Sequence, residues 1–296
     1  MTLSRRRFLT ISASAAAVSL ASGTSASEVA QWQGRALGAD VSLRVEGVPA
    51  GAGARLWQRV GHVLEQVEAR FSLFRHSELV RLNETGVLVN PSAAMRALMG
   101  LTGDLNAATG GVFDPSVQVI WQALAEGRDP DPARHLAGWH RVQIGDDRIR
   151  LAPGAALTFN GIAQGFAADQ VAALMRREGL GNVLIDAGEI VALGQGGDQT
   201  PWRVGIAGAD GTLLATHPLS NRALATSSPG GTRVGPAHAA HIQHIDGRGA
   251  LWQTVSVSAP SAALADGLST AFCLMTRTQI TEALTAFPDA RLEYLG

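Results

Sequence analysis

Asp266 and Thr270 stand four residues apart in Ala265-Asp266-Gly267-Leu268-Ser269-Thr270. On a helix that spacing puts both side chains on one face. A carboxylate beside a hydroxyl supplies hard oxygen ligands, the kind Mg²⁺ takes next to a diphosphate. The plainer use of the pair is an aspartate cap with a back-bonded threonine. A second segment, Leu157-Thr158-Phe159-Asn160-Gly161-Ile162-Ala163-Gln164, reads as a strand, a glycine turn and the start of a helix. Free N–H groups at a helix start suit a phosphate, and Gly161 permits close backbone approach. A packing turn would read the same way. Third, His238, His241 and His244 recur every three residues ahead of Asp246. That spacing serves metal binding or general base work, and equally a solvated histidine-rich loop.

Three lesser pieces accompany these. Gly110-Gly111-Val112-Phe113-Asp114-Pro115 is a turn with a carboxylate placed to cap a helix. Ala187-Gly188-Glu189 follows the apolar run Val183-Leu184-Ile185, and Thr226-Ser227-Ser228 forms a hydroxyl-rich turn. No Gly-x-Ser-x-Gly occurs, which disfavours a serine hydrolase. Gly194-Gln195-Gly196-Gly197 lacks the third glycine and the following helix of a dinucleotide-binding loop.

Composition narrows the chemistry further. All 24 basic residues are arginine, so lysine Schiff bases and a Walker-type loop are excluded. Cys273 is the sole cysteine, which rules out an intramolecular disulfide and cysteine-based metal clusters. A net charge of −1 leaves no electrostatic footprint for nucleic acid. At 46% hydrophobic and 17% charged residues, the chain has ample material for a core.

These residues must be held by elements legible as periodicities. Residues 32–45 alternate like a strand, and 52–71 carry apolar residues at helical spacing. Helices are expected over 91–108, capped by Ser92, and over 163–178, 262–275 and 278–286. A short helix is expected after the loop at 72, and another after the Gly110-Gly111 break. Strands are expected as a pair over 141–151 and at 182–192, 202–207, 213–217, 223–226 and 254–258. Strands and helices mix without βα alternation, and no linker divides residues 28–296. The expected fold is a single α+β domain of mixed, mainly antiparallel sheets with packed helices. Ahead of it, Arg5-Arg6-Arg7-Phe8-Leu9 precedes a short apolar run ending in small residues. Residues 1–27 read as a twin-arginine export signal cleaved near Ala26, with no permanent membrane anchor.

Taken in order, these pieces resemble the ApbE-type family of FAD:protein FMN transferases over nearly the whole mature chain. The stretches are ALGADVSL, RFSLFRHSELVRLN, GGVFDPSV, FNGIAQGFAADQV, VLIDAGEIVALG, WRVGI, ALATSS, HIDGRG and VSVSAPSAALADGLSTAF. The exported form with Asn-Gly-Ile-Ala-Gln-Gly is most similar to the NosX-like branch, associated with nitrous oxide reduction. The resemblance implies a Mg²⁺-dependent transfer of FMN from FAD to a Thr or Ser hydroxyl of a partner flavoprotein, releasing AMP. The expected location is the periplasm, reached through the twin-arginine export machinery. It implies Asp266, Thr270, the Gly161 carbonyl and adjacent Ser269 at the metal. It places Leu37, Phe74, Val112, Phe113, Asp114, Thr158, Gln164 and Ile245 at FAD, with His244 as base for the acceptor hydroxyl. Departures from the family pattern are Leu37 for Met, Phe74 for Tyr, Gln164 for Lys, Ala187 for Gly, and Asp246-Gly247 for Asp-Pro, with the histidine displaced by one. The alternative is an exported protein that binds or hydrolyses FAD without a protein acceptor.

Overall fold

The computed structural model describes residues 29–48 and 53–296. The export signal expected over residues 1–27 lies outside them. The hairpin β1 (Val29–Ala36) and β2 (Ala39–Glu46) leads to α1 (Ala54–Phe71), α2 (Glu78–Thr85), β3 (Val87–Val89) and α3 (Ala93–Ala108). A 3-10 turn at Pro115–Val117 opens α4 (Gln118–Ala125), followed by the short α5 (Asp131–Arg134), β4 (Val142–Ile144) and β5 (Arg148–Leu151). Next come α6 (Ala163–Arg177), β6 (Val183–Asp186), β7 (Ile190–Leu193), β8 (Trp202–Ala207), β9 (Leu213–Leu219) and β10 (Arg222–Ser227). The short pair β11 (Arg233–Val234) and β12 (Ala239–Ala240) precedes β13 (Val255–Ala259), α7 (Ala262–Phe272), α8 (Arg277–Leu284) and β14 (Arg291–Leu295).

Seven strands form one sheet in the order β1-β2-β6-β7-β10-β13-β14, antiparallel at every pairing. Its middle strands are buried on both faces, which is why Val-Leu-Ile and Ile-Val-Ala-Leu are continuous apolar runs. Val183, Ile185, Val191 and Ala225 face the main core beneath α1, α3, α6 and α7. Leu184, Ile190, Ala192 and Leu224 face the β8–β9 hairpin, meeting Trp202, Val204 and Ile206. Helix α1 buries Val60, Leu64, Val67 and Phe71, a stripe at helical spacing. Ser92 caps α3 by accepting the Met95 N–H, as its position predicts. Among the described residues no helix is long and apolar enough to cross a membrane.

The structure corrects three expectations. The single strand over 32–45 is a hairpin: Leu37 and Gly38 turn the chain with φ of 49° and 83°. Leucine rarely takes that backbone region, so the turn has only half its usual signature. The strand over 182–192 is also a hairpin, closed at Asp186–Ile190 around Gly188 with φ 91°. The strand expected at Leu157 is absent. Asn83 occupies the place of a pairing strand, its Nδ2 donating to the Leu157 carbonyl at 2.9 Å. Its Oδ1 accepts the Leu157 N–H at 2.8 Å. Strands β3, β11, β12 and β14 have no sequence expectation.

Candidate active site

Helices α6 and α7 cap one another. At the start of α6, Ile162 offers no side-chain cap. Instead Asp266 of α7 accepts the Gly165 N–H through Oδ2 at 3.1 Å. In return Asp169 of α6 accepts the Ala262 and Ala263 N–H groups at 2.8 and 2.9 Å, joined by the cap of Ser261 on Leu264. Orphan donors at both helix starts are thereby satisfied by the opposite helix. The crossing is close enough that a Cβ on Gly165 would lie 2.3 Å from the Ala262 carbonyl oxygen. Asp266 is therefore a cap, but of its neighbour's helix and not its own.

Asp266 and Thr270 border a cleft with Asn160, Gly161, Glu189, Thr226 and Ser227. Asp266 and Glu189 are both only 3% exposed. Glu189 accepts the Thr226 N–H at 3.2 Å. Burial pushes both carboxyls above the usual range, and Asp266 raises Glu189 further by repulsion. Nearby Asp186 is pushed up to about 6 by burial. Among the described residues no arginine lines this cleft. Gly161 lies against Thr270: a Cβ there would meet Thr270 Oγ1 at 3.0 Å. Ser269 is fully buried and does not line the cleft. Its Oγ donates to the Asp266 carbonyl at 3.0 Å and pairs with Ser227 Oγ at 2.8 Å, so it sits behind the other donors. Among the described residues no three His, Cys, Asp or Glu side chains gather as a metal-binding group. The donors here are carboxylate, hydroxyl and carbonyl oxygens.

Apart from Ile245, the residues expected at FAD line two spaces that share bordering residues. Val112, Phe113, Asp114 and Thr158 line the cleft just described. Leu37 and Phe74 line a second cavity with Glu68, Phe71 and Gln118. Gln164, Asn160 and Trp121 border both. Leu37 is held at the hairpin tip by its N–H donating to Glu68 Oε1 at 3.0 Å. Phe74 stands 61% exposed. Asp114 is spent on structure: Oδ1 accepts the Ser116 N–H and hydroxyl at 2.8 and 2.6 Å. Its Oδ2 accepts the Trp139 N–H at 2.8 Å. The sequence reading of a cap is correct for this side chain.

The histidine loop divides. His241 lines the cleft, its Nδ1 3.3 Å from the Thr232 carbonyl, and burial lowers its pKa. His244 is buried and does not line the cleft. Its Nδ1 lies 2.6 Å from Asp246 Oδ1, and its Nε2 lies 3.1 Å from Arg248 Nη2. A guanidinium only donates, so Nε2 accepts in that contact, and the Asp246 backbone N–H lies 3.1 Å from Nδ1. Burial lowers the His244 pKa below 6.5, against the opposing pull of Asp246. Desolvation notwithstanding, hydrogen bonds from Arg248 and His244 hold Asp246 down to about 2. Ile245 packs against the small cluster of α4 and α5 instead of the cleft. Arg134 Nη1 donates to the carbonyls of His244 and Ile245 at 3.2 and 3.1 Å.

Sequence reasoning noted Glu189 and Ser227 without assigning them a site, and it passed over Asn160, Trp121 and Gln118. The hydroxyl-rich turn was a usable signal for Ser227; Gln118 carried none.

Fold and cleft define an α+β protein with its polar site between two mutually capped helices and the β10 end of an antiparallel sheet. The chain belongs to the ApbE family, whose model matches residues 37–293. An FAD:protein FMN transferase of Escherichia coli (strain K12) is 24% identical over 62% of this chain, which spans 58% of that relative's length. One from Salmonella typhimurium is 25% identical over 88% of this chain and 83% of its own. The flavin transferase ApbE of Vibrio cholerae shares the fold, with a TM-score of 0.78 at 22% identity, covering 92% of this chain and 98% of that one. The flavinyl transferase ApbE of Pseudomonas stutzeri superposes with a TM-score of 0.77 at 23% identity, covering 92% and 94%.

Proposed function

We propose that this protein is a flavin transferase that splits FAD at its diphosphate, passes FMN to a Thr or Ser hydroxyl of a partner protein, and releases AMP. The observation that carries the reading is the buried pair Asp266 and Glu189, in a cleft that no arginine lines among the described residues. A cation beside an anionic diphosphate would let these two carboxyls ionise, which burial otherwise disfavours. Asp266, Thr270 and the Gly161 carbonyl, backed by Ser269, fit Mg²⁺ because all are hard oxygen donors. Bound there, Mg²⁺ would supply positive charge against the diphosphate. The α6 start adds its dipole. Leu37, Phe74, Val112, Phe113, Thr158 and Gln164 are the proposed FAD walls, while Asp114 and Ile245 brace them.

In the transfer, the acceptor oxygen bonds to the FMN phosphorus. The phosphorus–oxygen bond to AMP breaks, and AMP leaves with the electron pair. The acceptor's proton passes to His244 Nε2, which requires Arg248 to release that nitrogen. The engagement of both His244 ring nitrogens favours a second reading, hydrolysis of FAD to FMN and AMP without a protein acceptor. Incubation with FAD, Mg²⁺ and a candidate acceptor flavoprotein separates them. The transferase yields a flavin-fluorescent band on a denaturing gel together with AMP. AMP without a labelled band favours hydrolysis, and absence of both products sinks both readings.

The proposal extends to place. Arg5-Arg6 would direct twin-arginine export, and the acceptor would be a periplasmic respiratory flavoprotein such as one serving nitrous oxide reduction, as in the NosX-like branch.

A further inference from the structure

Two buried amide atoms lack partners in side chains that line the second cavity. Gln118 Oε1 and Gln164 Nε2 are both buried without a hydrogen bond, in residues each only 5% exposed. Both residues line that cavity. The large majority of buried side-chain polar atoms in folded proteins are bonded, so an acceptor and a donor left unpaired in two side chains that line one cavity call for a ligand. Neither side chain is there by accident of a loop. Gln118 is the first residue of α4, reached through the 3-10 turn that Asp114 ties down. Gln164 is in the first turn of α6, and its amide rests on the bare Gly188, where a Cβ would approach its Cδ to 3.0 Å.

We infer that Gln118 is a specificity-determining residue, which with Gln164 reads the edge of a heterocyclic ring bearing a hydrogen-bond donor beside an acceptor. Gln118 Oε1 accepts the ring N–H and Gln164 Nε2 donates to its neighbour. The inference rests on the flavin transferase reading, since FAD carries two rings of this chemistry. Isoalloxazine offers an imide N–H flanked by carbonyls; adenine offers an amino group beside a ring nitrogen.

Gln118→Leu tests it. FAD affinity is measured by flavin fluorescence in EDTA, so that no FAD is consumed. FMN and ADP are then measured as competitors, and the melting temperature of the ligand-free protein is recorded. The expected result is a loss in FAD affinity of about fivefold to tenfold, the worth of one buried hydrogen bond. Melting should stay unchanged or rise, because an open acceptor has been replaced by an apolar group. A loss shared by FMN alone assigns the isoalloxazine edge; one shared by ADP alone assigns adenine. Gln164→Leu should lose affinity on the same arm. Unchanged FAD affinity, a loss on both arms or neither, or a lowered melting temperature accompanying the loss overturns the inference. Wild-type protein that fails to bind FAD removes the flavin transferase reading along with it. Wild-type protein that binds FAD, with Gln118→Leu binding equally well, removes the inference alone.

Discussion

The α6/α7 junction and the loop carrying His241 and His244 border the same cleft, and they are built in opposite ways. At the junction the carboxylates are fixed by backbone. Asp266 is pinned by the Gly165 N–H, Glu189 by the Thr226 N–H, and Asp169 locks the two helix starts together. In the loop side chains also hold one another. His244, Asp246 and Arg248 close a small ring of side chains, and the Asp246 and Arg248 side chains are 52% and 41% exposed. Turning Asp266 away would leave the Gly165 N–H unpaired, whereas the half-exposed Asp246–Arg248 pair can part at small cost. The difference teaches a division of labour. Under the proposed function, cleaving a diphosphate would need fixed charge, and a hydroxyl arriving on another protein would need a side that can rearrange.

Removing the junction's carboxylate is the strongest way to break that comparison. Asp266→Ala should lower both FMN transfer and any AMP release by about a thousandfold or more, since positioned metal charge contributes several kcal/mol to such reactions. AMP is followed by chromatography at limiting Mg²⁺, with circular dichroism to confirm folding. A folded variant at full activity would remove Asp266 from the site.

The loop should fail differently. His244→Ala is expected to cut transfer to protein by about a hundredfold to ten-thousandfold while FAD affinity holds. His241→Ala, made in parallel, decides which ring serves. Transfer lost with His241→Ala and kept with His244→Ala moves the base to the ring that lines the cleft. Acid pH sharpens the test. The folded His244 pKa lies below 6.5, so the ring stays a free base through neutral pH. Transfer should therefore fall only as pH drops from 6.5 toward that lower value, and His244→Ala should lose this limb. The stability from burying a neutral ring is present above 6.5 and is lost as pH falls through the lowered pKa.

A packing change probes the junction without touching its chemistry. Gly165→Ala forces a methyl against the Ala262 carbonyl and should destabilise the protein by about 1–3 kcal/mol in urea unfolding. It should also reduce activity, because Gly165 donates to Asp266. Unchanged stability would mean the helices can part freely, and the contrast with the loop would vanish. Apart from the cleft, Arg5→Lys with Arg6→Lys should hold the precursor in the cytoplasm in a fractionation blot. Normal export of the doubly substituted protein rules out the twin-arginine reading.

Sequence alone determined the helices well, because an amphipathic stripe and its caps are local. Val60, Leu64, Val67 and Phe71 could face nowhere but a core, and Ser92 could hardly do anything but cap α3. It also brought Asp266 and Thr270 into view, since a spacing of four on a helix is itself a geometry. Turns with weak signatures escaped: Leu37 hid a hairpin, and Asn83 took a strand's role from 74 residues away. What only tertiary structure decided was direction. Which helix Asp266 caps, which histidine meets the cleft, and that Ser269 stands behind the donors all depend on how distant elements cross. A side chain's type travels with the sequence, but its partners are chosen by the chain's return: the contact of Gly165 with Ala262 joins segments nearly a hundred residues apart.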